Sequence, residues 1–417
     1  MTPVCDTAAS LQRLSCQLEA GRLEVEIARA QLPAKTVFGF GERNNPRRAF
    51  LFVSQLLGRH IPVAPTRMRA AFSALAAQID ADLPGPVLMT GMAETAVGLG
   101  AGVHDAYCKR TGRDDVLYLA TTRHRLGPIF AEFSEDHSHA SHHLVHWPGA
   151  PADRALLAAA RSLVMVDDEA SSGATFHNLH AALTAGGLPQ LQCVATAVLT
   201  DWSAGKAAAT RPGEAWARHA LLSGRFRWWA DAGAPSRILP DPDLPRAAGI
   251  PPRHRVADAR RGRRSPLPAP QSTGAARECL AGHAGPVQVL GMGEHVWEPF
   301  LLAEALEATG LPVRFSATTR SPILPGHAIR SALRFWDHEG IGIGNYLYNC
   351  LPHPDLRVLL CCDTALSAID PRLIASFRAD LVLGDDIVAF RDLPAAIRGA
   401  EPLQVAHARD DPCDPSF

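Results

Sequence analysis

The sequence Leu163-Val-Met-Val-Asp-Asp-Glu-Ala-Ser-Ser-Gly-Ala-Thr175 decides the fold of this chain. Its first four residues are apolar without alternation, which predicts a strand in a parallel sheet that is covered on both faces. Asp167 and Asp168 follow at the carboxyl end of the strand, where open α/β sheets bind their ligands. The small-residue loop Ser171–Thr175 then leads into a helical stretch, 176–183, and free N–H groups at a helix N-terminus suit a phosphate. Because paired carboxylates suit sugar hydroxyls or a hydrated divalent cation, the stretch predicts a site for a ribose 5-phosphate.

Strands and helices alternate around this stretch. The further predicted elements are strands at 86–89, 116–120 and 191–199, a helix beginning near 95, a polar loop over 121–143 and a helix at 152–161. This order predicts a parallel sheet with right-handed crossovers.

The length of 417 residues favours two domains over one core. We expect a first domain at 20–230, a linker at 231–284 rich in Pro and Arg, and a second domain at 285–410. The arginines of the linker are more easily explained as solvated than as a nucleic-acid contact, because neither flanking region has a basic face. No internal repeat is clear enough to use.

The overall charge and the cysteine content exclude several classes of protein. A net charge of −1 gives no general attraction to nucleic acid or to an anionic membrane. No apolar stretch reaches membrane-spanning length, and the first residues lack the pattern of a signal peptide. Nine cysteines without a CxxC pair predict reduced thiols and a cytoplasmic location.

The opening stretch resembles the phosphoribosyl-diphosphate (PRPP) motif of type I phosphoribosyltransferases. The resemblance implies that Asp167 and Asp168 bind the ribose hydroxyls and Mg²⁺. It implies that the 5-phosphate lies on the loop formed by Ser171, Ser172, Gly173, Ala174 and Thr175. Glu169 departs from the family, which usually has an aliphatic residue there; it either alters metal binding or points to solvent. The other interpretation is a Rossmann-like strand that ends in two aspartates and a turn.

In that family the first core strand ends in a pyrophosphate-binding loop, and the corresponding residues here are Thr90, Gly91, Met92, Ala93 and Glu94. Gly91 permits the backbone that turns amides toward an anion. Glu94 is unexpected beside a pyrophosphate unless a metal lies between them or the carboxylate caps the next helix.

The polar loop 121–143 lies where the family has a mobile hood over its active site. Arg123, His137 and His139 are candidates to neutralise pyrophosphate charge or to protonate or orient a reacting group. Two alternatives stay open: a histidine-rich surface loop that only excludes solvent, and a zinc site.

Residues upstream of the sheet are candidates for binding the acceptor. Arg43, Asn45 and Arg47 lie in a turn with Gly and Pro, which we interpret as preceding a helix, and they could read a base or a carboxylate. The alternative is the ordinary start of a basic helix.

A second αβ unit follows the linker. Its predicted elements are a strand at 287–290, a helix at 298–307 and a strand at 313–317. The following Thr-Arg-Ser-Pro sequence, 319–322, with Gly291-x-Gly-Glu294 before it, resembles the TRSP domain that occurs C-terminal to one subfamily of phosphoribosyltransferases. Glu294, Thr319, Arg320 and Ser321 could form an anion site at the strand ends; the alternative is that Arg320 makes an interdomain salt bridge.

The expected fold is therefore α/β: a type I phosphoribosyltransferase parallel sheet with a hood, plus a second C-terminal α/β domain. The resemblance implies Mg²⁺-dependent transfer of ribose 5-phosphate from PRPP to a base-like acceptor. The pathway it suggests is the making of a nucleoside-like metabolite in a stress or tellurium-resistance gene cluster. We expect small-molecule partners, no nucleic acid, no membrane and a possible homodimer. The alternative is a catalytically silent PRPP sensor or scaffold.

Overall fold

The computed structural model describes residues 12–45, 48–134, 142–189, 191–204, 216–234, 262–264, 266–340 and 342–408. The strands among these residues are β1 (Gln12–Leu18), β2 (Gly21–Ala30), β3 (Phe38–Arg43), β4 (Phe50–Ser54), β5 (Val87–Gly91), β6 (Val116–Tyr118), β7 (Ile129–Ser134), β8 (His142–His146), β9 (Ser162–Ala170), β10 (Cys193–Asp201), β11 (Ala217–Ala230), β12 (Val287–Gly291), β13 (Val313–Ala317), β14 (Ile323–Leu324), β15 (Ser331–Phe335), β16 (Asn345–Tyr348), β17 (Arg357–Cys361), β18 (Asp380–Leu383), β19 (Asp386–Val388) and β20 (Val405–His407). The helices are α1 (Ala34–Val37), α2 (Pro65–Ala76), α3 (Ala96–Thr111), α4 (Pro151–Ala158), α5 (Ala174–Ala185), α6 (Thr273–Cys279), α7 (Trp297–Glu307), α8 (Pro371–Phe377) and α9 (Ala395–Arg398).

The larger sheet has the strand order β1-β2-β11-β10-β9-β5-β6. The strands from β11 to β6 are parallel, whereas β1 and β2 are antiparallel additions at the other edge. Val164, Met165 and Val166 at the centre of the sheet are fully buried, as expected for a strand covered on both faces. The predicted α/β class and parallel sheet are therefore confirmed.

The C-terminal sheet has the order β13-β12-β17-β18-β19. Its first four strands are parallel, and β19 returns antiparallel to β18. The second α/β unit is therefore confirmed as well.

One apolar core extends through both sheets, and a second, smaller one that includes Leu360, Ile374 and Leu381 lies within the C-terminal half. Phe72 of α2 packs edge-to-face against Phe300 of α7, with 5.4 Å between the ring centroids. The short strand β14 adds to the antiparallel pair β3–β4, so the C-terminal half completes a small sheet of the N-terminal half. The segment predicted as a linker also takes part, because Arg263 is only 7% exposed and lies 5.1 Å above the ring of Trp297. The expectation that this arginine is solvated is wrong.

Two segments differ from their predicted secondary structure. The segment with Arg43 is a β3–β4 hairpin and not the turn before a helix, because its alternating aromatic residues pack against Trp202 and Phe226. The polar loop 121–143 contains β7, which forms an antiparallel hairpin with β8. The strands of both segments are stabilised by tertiary packing, which cannot be recognised from the local sequence.

Within the described ranges, no helix is long and apolar enough to cross a membrane.

Candidate functional site

The acidic pair lies on strand β9 itself, which continues past the predicted strand end as far as Ala170. Parallel pairing with β10 holds this extension, with Ala170 opposite Asp201. The N–H of Asp168 donates to Oδ1 of Asp167 at 2.9 Å. Burial, and then the neighbouring Glu169 carboxylate, raise the pKa of Asp168. The strand end is therefore a compact, partly exposed cluster of carboxylates that favours a cation or hydroxyl donors.

Glu169 forms an ion pair with the hairpin above the strand. Its carboxylate lies 2.7 Å from Arg48, and the Arg48 guanidinium stacks 4.8 Å above the ring of Phe50 on β4. Of the two roles considered for Glu169, pointing to solvent is therefore wrong for this structure. The ion pair instead fixes the hairpin over the acidic pair.

The phosphate loop has the geometry expected of an anion cradle. Gly173 is the N-cap of α5 with φ of +81°, a left-handed conformation that favours glycine. The helix begins at Ala174, two residues before the predicted start, so Thr175 lies in its first turn. The Ser172 side chain is exposed, and its hydroxyl accepts from the N–H of Ala174 at 3.3 Å. A twelve-residue helix thus presents its N-terminus beside the acidic pair.

The loop predicted to bind pyrophosphate leaves β5 beside the acidic strand. The N–H of Met92 donates to the carbonyl of Val166 at 3.0 Å. The N–H of Ala93 donates to Oγ1 of Thr121 at 2.7 Å, and the peptide bond between Ala93 and Glu94 is cis. A Cβ on Gly91 would lie 2.5 Å from the hydroxyl of Tyr118, so only glycine fits there. Thr90 Oγ1 is buried without a hydrogen-bond partner within the described residues.

Glu94 is held between two buried arginines. Arg59 approaches Oε1 at 3.2 Å and also donates to the Glu94 carbonyl at 2.8 Å. Arg320, from the C-terminal domain, donates from Nε to Oε2 at 2.8 Å. The two arginines are 3% and 6% exposed. Arg320 therefore makes the interdomain salt bridge that the sequence left open, and its role in an anion site stays a prediction.

Two further carboxylates, those of Glu294 and Glu339, lie in the same interface between the domains. Glu294 accepts from the hydroxyl of Thr122 and, at 2.9 Å, from the N–H of Arg123. Glu339 lies 2.9 Å from the ring of His124 and 3.3 Å from Arg320. Burial alone would lower the pKa of His124, but Glu339 and Glu294 outweigh it and raise the pKa to about 9. His124 is therefore a cation at neutral pH inside this cluster.

Arg123 reaches back to the pyrophosphate loop. Its guanidinium donates to the carbonyl of His142 at 2.9 Å and to that of Ala93 at 3.4 Å. The structure thus brings one predicted hood residue to the loop it was expected to serve. His137 and His139 lie outside the described residues.

The proposed acceptor residues meet the C-terminal domain. Arg43 donates to the hydroxyl of Ser321 from Nε at 3.3 Å and from Nη2 at 3.1 Å. Burial and then Arg48 lower the pKa of Arg43. Asn45 is buried close by, whereas Arg47 lies outside the described residues. The Thr-Arg-Ser-Pro segment therefore contacts the first domain through Arg320, through Ser321 and through the carbonyl of Pro322, which accepts from the N–H of Asn44 at 3.0 Å.

Sequence reasoning missed several residues of this cluster. His124 and Glu339 carried no signal, because their pairing joins segments far apart in the chain. Arg59 was not missed, because the sequence makes it a further candidate for the acceptor site, but its contacts with Glu94 were not foreseen. Thr319 lies beside these residues, and its N–H bonds the carbonyl of Tyr346 at 3.0 Å.

Two family models match the chain: residues 37–220 match the model described as phosphoribosyl transferase, and residues 259–376 match the TRSP domain C-terminal to it. Among solved structures, adenine phosphoribosyltransferase from Rhodothermus marinus is 14% identical with a TM-score of 0.30, over 46% of this chain and 96% of that one. APRTase from Giardia lamblia, complexed with 9-deazaadenine, is 13% identical with a TM-score of 0.34, over 47% and 98%. Orotate phosphoribosyltransferase from Aeropyrum pernix is 14% identical with a TM-score of 0.23, over 42% and 80%. No curated protein matches the chain.

The sequence motifs, the parallel sheet and the family matches agree. Residues 37–220 therefore belong to the phosphoribosyltransferase family of that model, and residues 259–376 to the TRSP domain that occurs C-terminal to it.

Proposed function

We propose that the protein transfers ribose 5-phosphate from PRPP to a nitrogen atom of a base-like acceptor and releases pyrophosphate. The bond from ribose C1 to the pyrophosphate oxygen breaks, a C1–N bond forms, and the acceptor nitrogen loses a proton. The observation that carries this proposal is the strand register. Gly91 of β5 lies opposite Val166 of β9. The pyrophosphate loop and the acidic pair therefore lie side by side at the carboxyl-terminal edge of the sheet.

Each group of the donor has a proposed partner at this edge. The 5-phosphate lies at the N-terminus of α5 on Ser171–Thr175, and the pyrophosphate lies on Thr90–Glu94 with Arg123 beside it. Asp167 and Asp168 hold the ribose hydroxyls, and their charge favours the positive charge that develops on the sugar ring. Catalysis is then mainly positioning, and the hairpin β3–β4 with Arg43 and Asn45 would hold the acceptor.

The donor set of the acidic pair fits Mg²⁺. Magnesium prefers oxygen ligands and usually takes one or two carboxylates together with phosphate oxygens of the substrate. Among the described residues no group of three or more His, Cys, Asp or Glu side chains is placed to hold a metal alone. When bound, the ion would supply charge neutralisation of the pyrophosphate, and Asp167 and Asp168 are the residues that would hold it.

A PRPP-sensing protein without turnover is the second candidate. Two departures from the family pattern suggested it, Glu169 and Glu94. Both form ion pairs, with Arg48 and with Arg59 and Arg320, so neither needs a lost activity as its explanation. The role in a stress or tellurium-resistance pathway rests only on the resemblance to the TRSP family and stays a prediction.

The test combines binding with turnover. PRPP with Mg²⁺ should raise the melting temperature by mass action, and Asp167→Asn/Asp168→Asn should abolish the shift. The matched control is Asp385→Asn/Asp386→Asn, which removes an adjacent pair of exposed aspartates far along the chain and should keep the shift. Release of pyrophosphate is then followed with a panel of bases. An unchanged shift in the first double variant would contradict the ribose assignment, and binding without any turnover would favour the sensor.

A further inference from the structure

The two domains repeat two short motifs. Gly91-Met-Ala-Glu94 after β5 has a counterpart in Gly291-Met-Gly-Glu294 after β12. Ala120-Thr-Thr-Arg123 after β6 has a counterpart in Ala317-Thr-Thr-Arg320 after β13. The expectation that the chain has no usable internal repeat is therefore wrong.

The repeated motifs make the same hydrogen bonds. The N–H of Ala93 donates to Thr121 Oγ1 at 2.7 Å, and the N–H of Gly293 donates to Thr318 Oγ1 at 2.9 Å. The next threonine in each copy forms an isolated bridge to the second strand of a hairpin. These bridges pair Thr122 with Leu144 and Thr319 with Tyr346.

The surrounding topology is repeated too. The order β6-β5-β9-β10 in the first sheet corresponds to β13-β12-β17-β18 in the second, and all eight strands pair in parallel. In each copy an antiparallel hairpin, β7–β8 or β15–β16, stands between the second and third of these strands in chain order. Shared sequence, hydrogen bonds and strand order together indicate two diverged copies of one unit.

The copies contact each other reciprocally. Glu94 of the first copy meets Arg320 of the second, and Glu294 of the second meets Thr122 and Arg123 of the first. Each glutamate thus binds the Ala-Thr-Thr-Arg segment of the other copy. This is the pattern of a two-fold interface between identical subunits, here contained within one chain.

The second copy keeps only one of the two carboxylates that we propose to bind PRPP in the first. Gly91 lies opposite Val166 and Gly291 opposite Cys361. Cys362 therefore stands where the first copy has Asp167, whereas Asp363 keeps a carboxylate at the position of Asp168. Burial raises the pKa of the Cys362 thiol to about 12, which keeps it neutral.

The phosphate loop is absent from the second copy as well. Asp370 caps the seven-residue helix α8 with its own carboxylate, which accepts from the N–H of Arg372. In the first copy the glycine N-cap Gly173 leaves the helix end to a ligand. A carboxylate at the helix N-terminus repels a phosphate, so the second copy has no site for one.

We propose that the C-terminal domain is a diverged copy of the transferase core that takes the place of a second subunit, and that its Arg320 is a positioning residue for the pyrophosphate loop of the first copy. Arg320 acts through Glu94, whose carboxylate it shares with Arg59. The inference rests on the proposed function, because it assigns the loop to the pyrophosphate of PRPP.

The test uses the full chain and two ligands that differ only in the pyrophosphate. Calorimetry with Mg²⁺–PRPP should give one site per chain. Arg320→Met should weaken PRPP by roughly tenfold or more, since a charge-assisted contact that holds the loop is lost. Ribose 5-phosphate should bind within about twofold of wild type, whereas a general structural defect would weaken both ligands. Arg320→Lys, which keeps the charge beside Glu94, should recover part of the PRPP affinity.

The control is a substitution at the reciprocal contact between the two copies. Thr122→Val removes the hydroxyl that donates to Glu294 with little change in shape, and should lower the melting temperature while leaving PRPP affinity unchanged. Two PRPP sites per chain, or equal losses for both ligands in Arg320→Met, would overturn the inference with the proposed function intact. Failure of the wild type to bind PRPP would instead overturn the proposed function, and the positioning role with it.

Discussion

At the scale of single residues, the interface is an alternating set of buried charges. Arg320 lies within 4 Å of three carboxylates, those of Glu94, Glu294 and Glu339. Burial opposes the charge of Arg320, but these carboxylates outweigh it and raise the pKa of the guanidinium. Such a cluster is stable only while every member keeps a partner, because one unpaired buried charge costs several kcal/mol.

His124 gives this cluster a pH dependence. Its pKa of about 9 in the folded protein exceeds the ordinary 6.5, so its protonation contributes stability that is fully present below about pH 6.5 and lost as the pH rises through about 9. The shift corresponds to about 3 kcal/mol. Urea unfolding of wild type and His124→Gln, near pH 6 and near pH 10, should show a difference that shrinks at the higher pH. A difference independent of pH would mean that folding does not raise the pKa of His124.

The residues proposed to bind the ribose phosphate could be located from sequence, but the partners of Glu94 could not. Asp167, Asp168 and Gly173 lie within one short stretch, where strand, loop and helix signals are local. The arginines that hold Glu94 are 35 and 226 positions away from it. The repeated motifs relate Glu94 to Glu294 and Arg123 to Arg320, but nothing in the sequence shows that Glu94 meets Arg59 or Arg320. Glu94 could therefore be placed at the loop but not in its ion pairs.

At the scale of elements, secondary structure was predicted accurately where the local sequence pattern determines it. The strands β5, β9 and β12 coincide with apolar runs in the sequence, and a helix comes after each of them as predicted. The end of β9 was missed because acidic residues are poor strand formers, and only pairing with β10 keeps Asp167–Ala170 extended. The hairpin β3–β4 was missed for a similar reason, since its strands are stabilised by aromatic packing against Trp202 and Phe226.

The N-terminus of α5 allows a matched test of the phosphate loop. Gly173 and Gly187 both have positive φ, +81° and +106°, and lie at opposite ends of this helix. Gly173→Val should abolish binding of ribose 5-phosphate, because the side chain would obstruct the loop amides. Gly187→Val imposes similar backbone strain with no atom within 4 Å of the new Cβ, and should bind normally. Calorimetry compares the two, and equal affinities would show that the loop is not the phosphate site.

At the scale of the whole molecule, the boundary between the two halves of the sequence is crossed by strand pairing and by side-chain packing. Strand β14 belongs to the C-terminal half by sequence but pairs with β3, with Ile323 opposite Arg43. Phe315 of β13 pairs with Val63 through an isolated bridge, and Arg263 stacks between Tyr118 and Trp297. The separate boundaries 20–230 and 285–410 stay a prediction about sequence, whereas the largest apolar core extends through both regions.

This packing predicts that the chain unfolds as one unit. Heating should give a single transition whose calorimetric and van't Hoff enthalpies agree, and Mg²⁺–PRPP should move the whole transition upward although its proposed site lies in the first domain. A fragment of residues 262–417 alone should fail to show a cooperative transition, since Arg320 loses Glu94 and β14 loses β3. Adding the fragment 1–234 should restore the transition. Two transitions in the full chain, only one of which responds to PRPP, would show that the domains fold independently and that the shared charges contribute little to stability.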